Sequence, residues 1–136
     1  MFSNINKDYD YGITSECSLL STIQSLWGAD VERSTDKFAT IDFSSPTHNI
    51  ELKTRRNTYG KYPTTMIGKN KIDYLLSSDK KAIVLFKFLD GLYYLEITRD
   101  NINDFGLGEG GRSDRGTTER ATYYFIPTSM LKLVAQ

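Results

Sequence analysis

Apolar residues return at helical spacing early in the chain: in TSECSLLSTIQSLWG, Leu19, Leu20, Ile23, Leu26 and Trp27 share one face. Thr14 or Ser15 is placed to cap this helix and Gly28 to stop it. VERSTDK offers a short strand. The pattern then changes to period two, with Ala39, Ile41 and Phe43 on one face and Phe38, Thr40 and Asp42 on the other. After the turn-rich SSPTHN, Ile50, Leu52 and Thr54 alternate with Glu51, Lys53 and Arg55, which predicts a hairpin. TYGKYPTTMIGKN reads as a loop and NKIDYLLSS as a helix burying Ile72, Leu75 and Leu76. KAIVLFKFL is a β-forming run, and Asp90-Gly91 joins it to LYYLEI as a second hairpin. NDFGLGEGGRSDRGTTE, polar and rich in glycine, reads as a mobile loop, and ATYYFI as a last strand before Pro127. No repeat is present. Helix, strands, helix, strands in that order predict a mixed α+β domain in which helices pack on a mixed sheet.

The first hairpin raises a chemical question. If Phe43 pairs with Ile50, then Ile41 faces Leu52 on the apolar side and Asp42 faces Glu51 on the polar side, with Lys53 opposite Thr40. Opposed residues of an antiparallel pair have Cβ atoms roughly 5 Å apart, and like charges there destabilise the sheet. Something positive belongs between the carboxylates. Lys53 is one candidate, and a divalent cation is the other, because carboxylate oxygens suit hard ions such as Mg²⁺ or Mn²⁺. An ordinary solvated hairpin face is the alternative that asks for no ion.

Composition narrows the field. At 136 residues and 39% hydrophobic, the chain has the length and make-up of one globular domain spanning residues 1–136. It has no apolar run of membrane-spanning length, and MFSNINKDYDYG lacks a secretory charge-then-apolar pattern, so the expected location is intracellular, in cytoplasm or a host-cell compartment. Cys17 is the single cysteine, which excludes an internal disulfide and a cysteine-rich zinc site. It reads as a small packing residue. His48, the one histidine, lies in the predicted turn, so neither a catalytic triad nor a histidine metal site is expected. GLGEGG lacks the Gly-Lys-Ser/Thr ending of a phosphate-binding loop. Seventeen basic residues balance seventeen acidic ones, but the balance is uneven along the chain. Between Leu52 and Ile72 stand Lys53, Arg55, Arg56, Lys61, Lys69 and Lys71 with no acid among them.

On the first helix Glu16 precedes Leu20 by four residues and Ile23 by seven, which puts it on the core-facing side near the N-terminus. Two readings stand: a carboxylate favoured by the helix dipole, or a third acid aimed at the hairpin. Lys71 precedes Leu75 by four and borders the buried face of its own helix.

Together these residues resemble the PD-(D/E)XK nuclease superfamily. The match is Asp42 and then Glu51-Leu52-Lys53 after an interval of eight residues. Tyr11-Gly12, Glu16, Asp42 and Glu51-x-Lys53 in that order look most like the small archaeal Holliday junction resolvases, and IELKTRRNTYGKYPTTMIG resembles stand-alone viral and phage members. Ile41 stands where that motif often has proline. The resemblance covers roughly residues 11 to 97 and leaves GLGEGGRSDRG without a counterpart.

The resemblance implies a restriction-endonuclease-like core, a central mixed β-sheet flanked by helices, and a Mg²⁺- or Mn²⁺-dependent DNA endonuclease. It implies catalytic roles for Glu16, Asp42, Glu51 and Lys53, with Asp42, Glu51, the Leu52 carbonyl and Glu16 as metal ligands. Lys53 would activate the attacking water or neutralise the phosphate. Arg55, Arg56, Lys61, Lys69 and Lys71 would track the DNA backbone. The glycine-rich segment, outside the resemblance, is either a flap whose Arg112, Arg115 and Arg120 close on that backbone or a merely solvated loop. Tyr59 and Tyr62 could stack on bases or simply pack. Branched DNA is the leading substrate, and symmetrical cutting of a four-way junction implies a homodimer. The alternatives are a restriction- or repair-type nuclease on linear duplex, and a nuclease-fold binding or assembly module without catalysis.

Overall fold

The computed structural model describes residues 19–34, 41–112 and 119–135. Helix α1 occupies residues 19–27 and ends at Gly28, whose φ of 127° only glycine adopts without strain. The expected caps Thr14 and Ser15, and Cys17, lie outside the described residues. Strands β1 (Glu32–Arg33), β2 (Phe43–Ser44) and β3 (His48–Thr54) follow. Next come β4 (Thr64–Gly68), α2 (Lys69–Leu76), β5 (Lys81–Phe88) and β6 (Gly91–Ile97). The last three strands are β7 (Gly106–Arg112), β8 (Glu119–Pro127) and β9 (Lys132–Ala135).

Six strands form the main sheet in the order β1-β2-β3-β5-β6-β9, and β4-β8-β7 form a second sheet. In the main sheet β3 and β5 run parallel while the other neighbours are antiparallel, so the sheet is mixed, as expected. Its two faces bury different clusters. On one, Ile23 of α1 packs with Val31, Phe43, Ile50, Leu52, Ile83 and Leu85. On the other, Val84, Phe86 and Leu95 meet Ile72 and Leu75 of α2 and Ile67, Tyr124 and Ile126 of the second sheet. The domain is thus layered as α1, main sheet, and a roof made of α2 with the small sheet.

Several sequence expectations need correcting. TTMIG is strand β4 and not loop: Thr65 and Ile67 alternate inward against Ile126 and Tyr124 of β8. The glycine-rich segment is also no loop in its first half, since β7 pairs with β8 from Gly106↔Phe125 to Arg112↔Glu119. A β-carbon at Gly108 would lie 2.9 Å from Phe125 Cε2, so the ring covers backbone that glycine leaves bare. This contact replaces the side-chain packing that a glycine strand lacks. ATYYFI is not the last strand, because β9 closes the β6 edge of the main sheet. Leu26 belongs to the apolar spacing of α1 yet is 47% exposed, and Leu76 is only partly buried.

The two sheets are tied by Arg55, just past β3. Its Nε donates to Thr65 Oγ1 at 3.2 Å, its Nη2 donates to the Met66 carbonyl, and its guanidinium lies 5.8 Å from the Phe86 ring centre. Arg55→Met keeps the stem and removes the donors. We expect it to cost about 1–2 kcal/mol, seen as a lower urea midpoint at unchanged slope.

Candidate active site

The register of the first hairpin is Phe43↔Ile50 and Ser44↔Asn49, the pairing on which the expected facing of Asp42 and Glu51 is conditioned. The ladder stops there. Asp42 does not pair across from Glu51 as a strand residue; it turns out of the ladder, and its Oδ2 accepts the Leu52 N–H at 2.9 Å. The Asp42 carbonyl meanwhile accepts from Ser34 N–H at 2.8 Å, which holds the turn. A side chain therefore occupies the place where the next backbone group of β2 would have bonded. The N–H and C=O of one strand residue point to the same side, so the Leu52 carbonyl faces this Asp42 edge as well.

Glu51 points to the opposite face from Ile50 and Leu52, toward the roof. Its side chain is only 3% exposed, which does not fit the alternative of an ordinary solvated hairpin face. The physical reason is the parallel partner: Glu51 pairs with Val84 of β5, and a strand inside a parallel pair is covered on both faces. Lys53, two residues on and so on the same face, brings Nζ to 3.4 Å from Glu51 Oε1. Lys71 reaches the same oxygen at 3.7 Å from the roof. Helix α2 sets that reach, because Ile72 and Leu75 are buried and hold Lys71 at the border of the buried face. Its first turn is completed by Asn70, whose Oδ1 accepts the Lys71 N–H at 2.9 Å.

Both lysines converge on Oε1. Glu51 Oε2 is buried and has no hydrogen-bond partner among the described residues. Burial, and next the negative charge of Asp42, push the Glu51 carboxyl up to about 7, against the opposing pull of Lys53 and Lys71. A buried carboxylate oxygen without a donor is costly, and a hard cation would satisfy it. The donor set fits such an ion: two carboxylates from adjacent chain segments and a main-chain carbonyl on the same edge. Among the described residues no group of three or more His, Cys, Asp or Glu is placed to hold a metal ion, and Asp42 and Glu51 are two neighbouring carboxylates. Glu16 lies outside the described residues.

One family model matches most of the chain. Residues 13–133 match the Phage putative PDDEXK endonuclease family. The chain belongs to this family. No curated protein and no solved structure matches it. Its mixed α+β architecture, a central mixed sheet flanked by helices, is consistent with the restriction-endonuclease-like fold of PDDEXK nucleases.

The other expected site residues of this PDDEXK domain scatter. Arg55 is engaged between the sheets, as described. Arg56 and Lys61 are exposed, and Lys61 Nζ stands 5.5 Å from the Tyr62 ring centre. Lys69 pairs with Asp73 one helical turn on, at 2.6 Å. Arg112 ends β7, Arg120 lies in β8, and Arg115 lies outside the described residues. Tyr59 packs: it stacks on Tyr93 at 4.1 Å between centroids and donates its hydroxyl to the Thr128 carbonyl at 2.7 Å. Tyr62 is 53% exposed. His48 begins β3, three residues before Glu51 on the same strand, with Nδ1 2.8 Å from Thr47 Oγ1. No helix among the described residues is long and apolar enough to cross a membrane.

The sequence ranked Lys71 as a phosphate contact and missed its approach to Glu51. The signal was present in its spacing before Leu75, but only the packing of α2 over β3 turns that spacing into contact.

Proposed function

We propose that this PDDEXK domain is a divalent-cation-dependent endonuclease that hydrolyses phosphodiester bonds in DNA, with branched DNA such as a four-way junction as the leading substrate. The observation that supports this reading most is the buried, unpartnered Oε2 of Glu51 beside Asp42, with two lysines on the other oxygen. Asp42, Glu51 and the Leu52 carbonyl would hold Mg²⁺ or Mn²⁺, and Glu16 would add a further carboxylate. When bound, the cation supplies charge stabilisation at the phosphate and a more acidic water. Lys53 is suited to orient that water, or to take up a proton from it, and to face the negative charge that builds on the phosphate. Asp42 also fixes the Leu52 peptide through its N–H, so the strand carrying both Glu51 and Lys53 is held at the point of reaction.

Arg56, Lys61, Lys69 and Lys71 would attract the DNA backbone without reading sequence, and binding would weaken as salt rises. Two paired sites, hence a homodimer, follow from symmetrical cutting of a junction. The test is cleavage of labelled four-way junction and matched linear duplex at equal salt with Mn²⁺, Mg²⁺ or EDTA. Metal-dependent cuts near the branch point are expected. Equal cutting of linear duplex would make the enzyme restriction- or repair-like, and DNA binding with no cleavage under either ion would overturn the nuclease reading.

A further inference from the structure

Lys71 is not part of the Asp…Glu-x-Lys motif, yet it comes within 3.7 Å of the motif's glutamate. Its side chain is 28% exposed and Lys53's is 30%, so both ammonium groups bridge from the buried carboxylate toward solvent. The two arrive differently. Lys53 is fixed two residues along the same central strand, whereas Lys71 hangs from an eight-residue helix of the roof by four rotatable carbons. Without an ion, and among the described residues, the ionised carboxylates of Asp42 and Glu51 balance the two ammonium groups of Lys53 and Lys71. Adding a divalent cation leaves a surplus of two positive charges, and a lysine beside a cation-bound carboxylate is then repelled from it while a phosphate attracts it.

Resting on the nuclease reading above, we propose that Lys71 has two alternative partners: it pairs with Glu51 while the site holds no cation, and swings to a DNA phosphate when a cation takes Glu51. Lys71 thus competes with the ion for Glu51 before cleavage and holds substrate during it. The two roles have opposite signs on substitution, which a merely structural lysine would not show.

The test uses the full chain with Lys71→Met and Lys71→Arg. Mn²⁺ binding is read by calorimetry without DNA, DNA binding by its salt dependence, and cutting in single turnover. Lys71→Met should bind Mn²⁺ roughly threefold more tightly, as expected for removal of a partly exposed ion pair. Its DNA affinity should lose about one unit of log-log salt slope, and its cleavage should slow by about tenfold or more. Lys71→Arg keeps the charge and should stay near the parent in Mn²⁺ affinity and salt slope. Mn²⁺ binding in Lys71→Met that is unchanged or weaker, or an unchanged salt slope, overturns the proposal. Lys71→Gln replaces Lys71→Met if the latter fails to fold. A parent chain that neither binds Mn²⁺ nor cuts DNA defeats the nuclease reading itself, which is a different result from a working parent with an indistinguishable variant.

Discussion

Glu51→Gln is expected to make the metal-free protein more stable at pH 8 while abolishing its response to metal. The carboxyl titrates at 4.5 in the unfolded chain and at about 7 in the fold, raised first by burial and then by Asp42. Between those values the folded state holds a proton that the unfolded state has lost. Stability from this group is therefore fully present below pH 4.5, falls as pH rises through the window, and is gone above about 7. The difference corresponds to about 3 kcal/mol. Gln mimics the protonated form, so the variant should lose this pH slope and gain up to about that amount at pH 8. Urea unfolding at pH 5 and pH 8 in EDTA measures it. In the parent, millimolar Mn²⁺ should restore stability at pH 8 far more than at pH 5, because an ion that binds only the folded state raises its melting point and needs the ionised acid. The Gln variant should show neither the Mn²⁺ shift nor cleavage. A parent with a flat profile from pH 5 to 8 would show that Glu51 is ionised throughout and that the cost of its burial is met within the chain.

Lys53→Met should separate binding from chemistry. The lysine touches Glu51 Oε1 and not the unpartnered Oε2, so its loss leaves the oxygen proposed for the cation in place. We expect Mn²⁺ still to raise the melting temperature, and single-turnover cleavage to fall by about 10²–10³, the usual loss when one group facing developing charge is removed. Lys71 remains beside the same carboxylate and could supply a residual rate. A Lys53→Met variant that cuts at the parental rate would transfer the water-activating role to another group.

What the sequence made legible here was local. Alternation through Ile41–Phe43 and Ile50–Thr54 allows the Phe43↔Ile50 register that the fold adopts, and that register brings Asp42 to the backbone next to Glu51. Helical spacing likewise predicts α2 and the side of it that is buried. What stayed hidden depended on partners distant in the chain. The burial of Glu51 stayed open because it depends on β5, thirty-three positions away in the register Glu51↔Val84, and on α2 packing over that face of the sheet. The second sheet was hidden for a different reason: β7 is stabilised by a phenylalanine lying over glycine, which glycine content alone does not reveal. Arg55 looked like one more charge in a basic run, although its guanidinium serves Thr65 and Met66.

The Asp42–Leu52 contact has a consequence for how such a centre can be built or moved. A strand neighbour normally lies about 4.8 Å away and uses up every outward-facing backbone group. Here one carboxylate stands in for that neighbour at a single residue, and among the described residues no strand pairs with β3 beyond it on that edge. Among the described residues the centre is an opening of one position in a hydrogen-bonded lattice, with an anion standing where a strand partner would bond. Transplanting the two acids and the lysine onto an intact sheet would reproduce the charges without the opening, so the graft would have to interrupt a strand as well as supply the side chains.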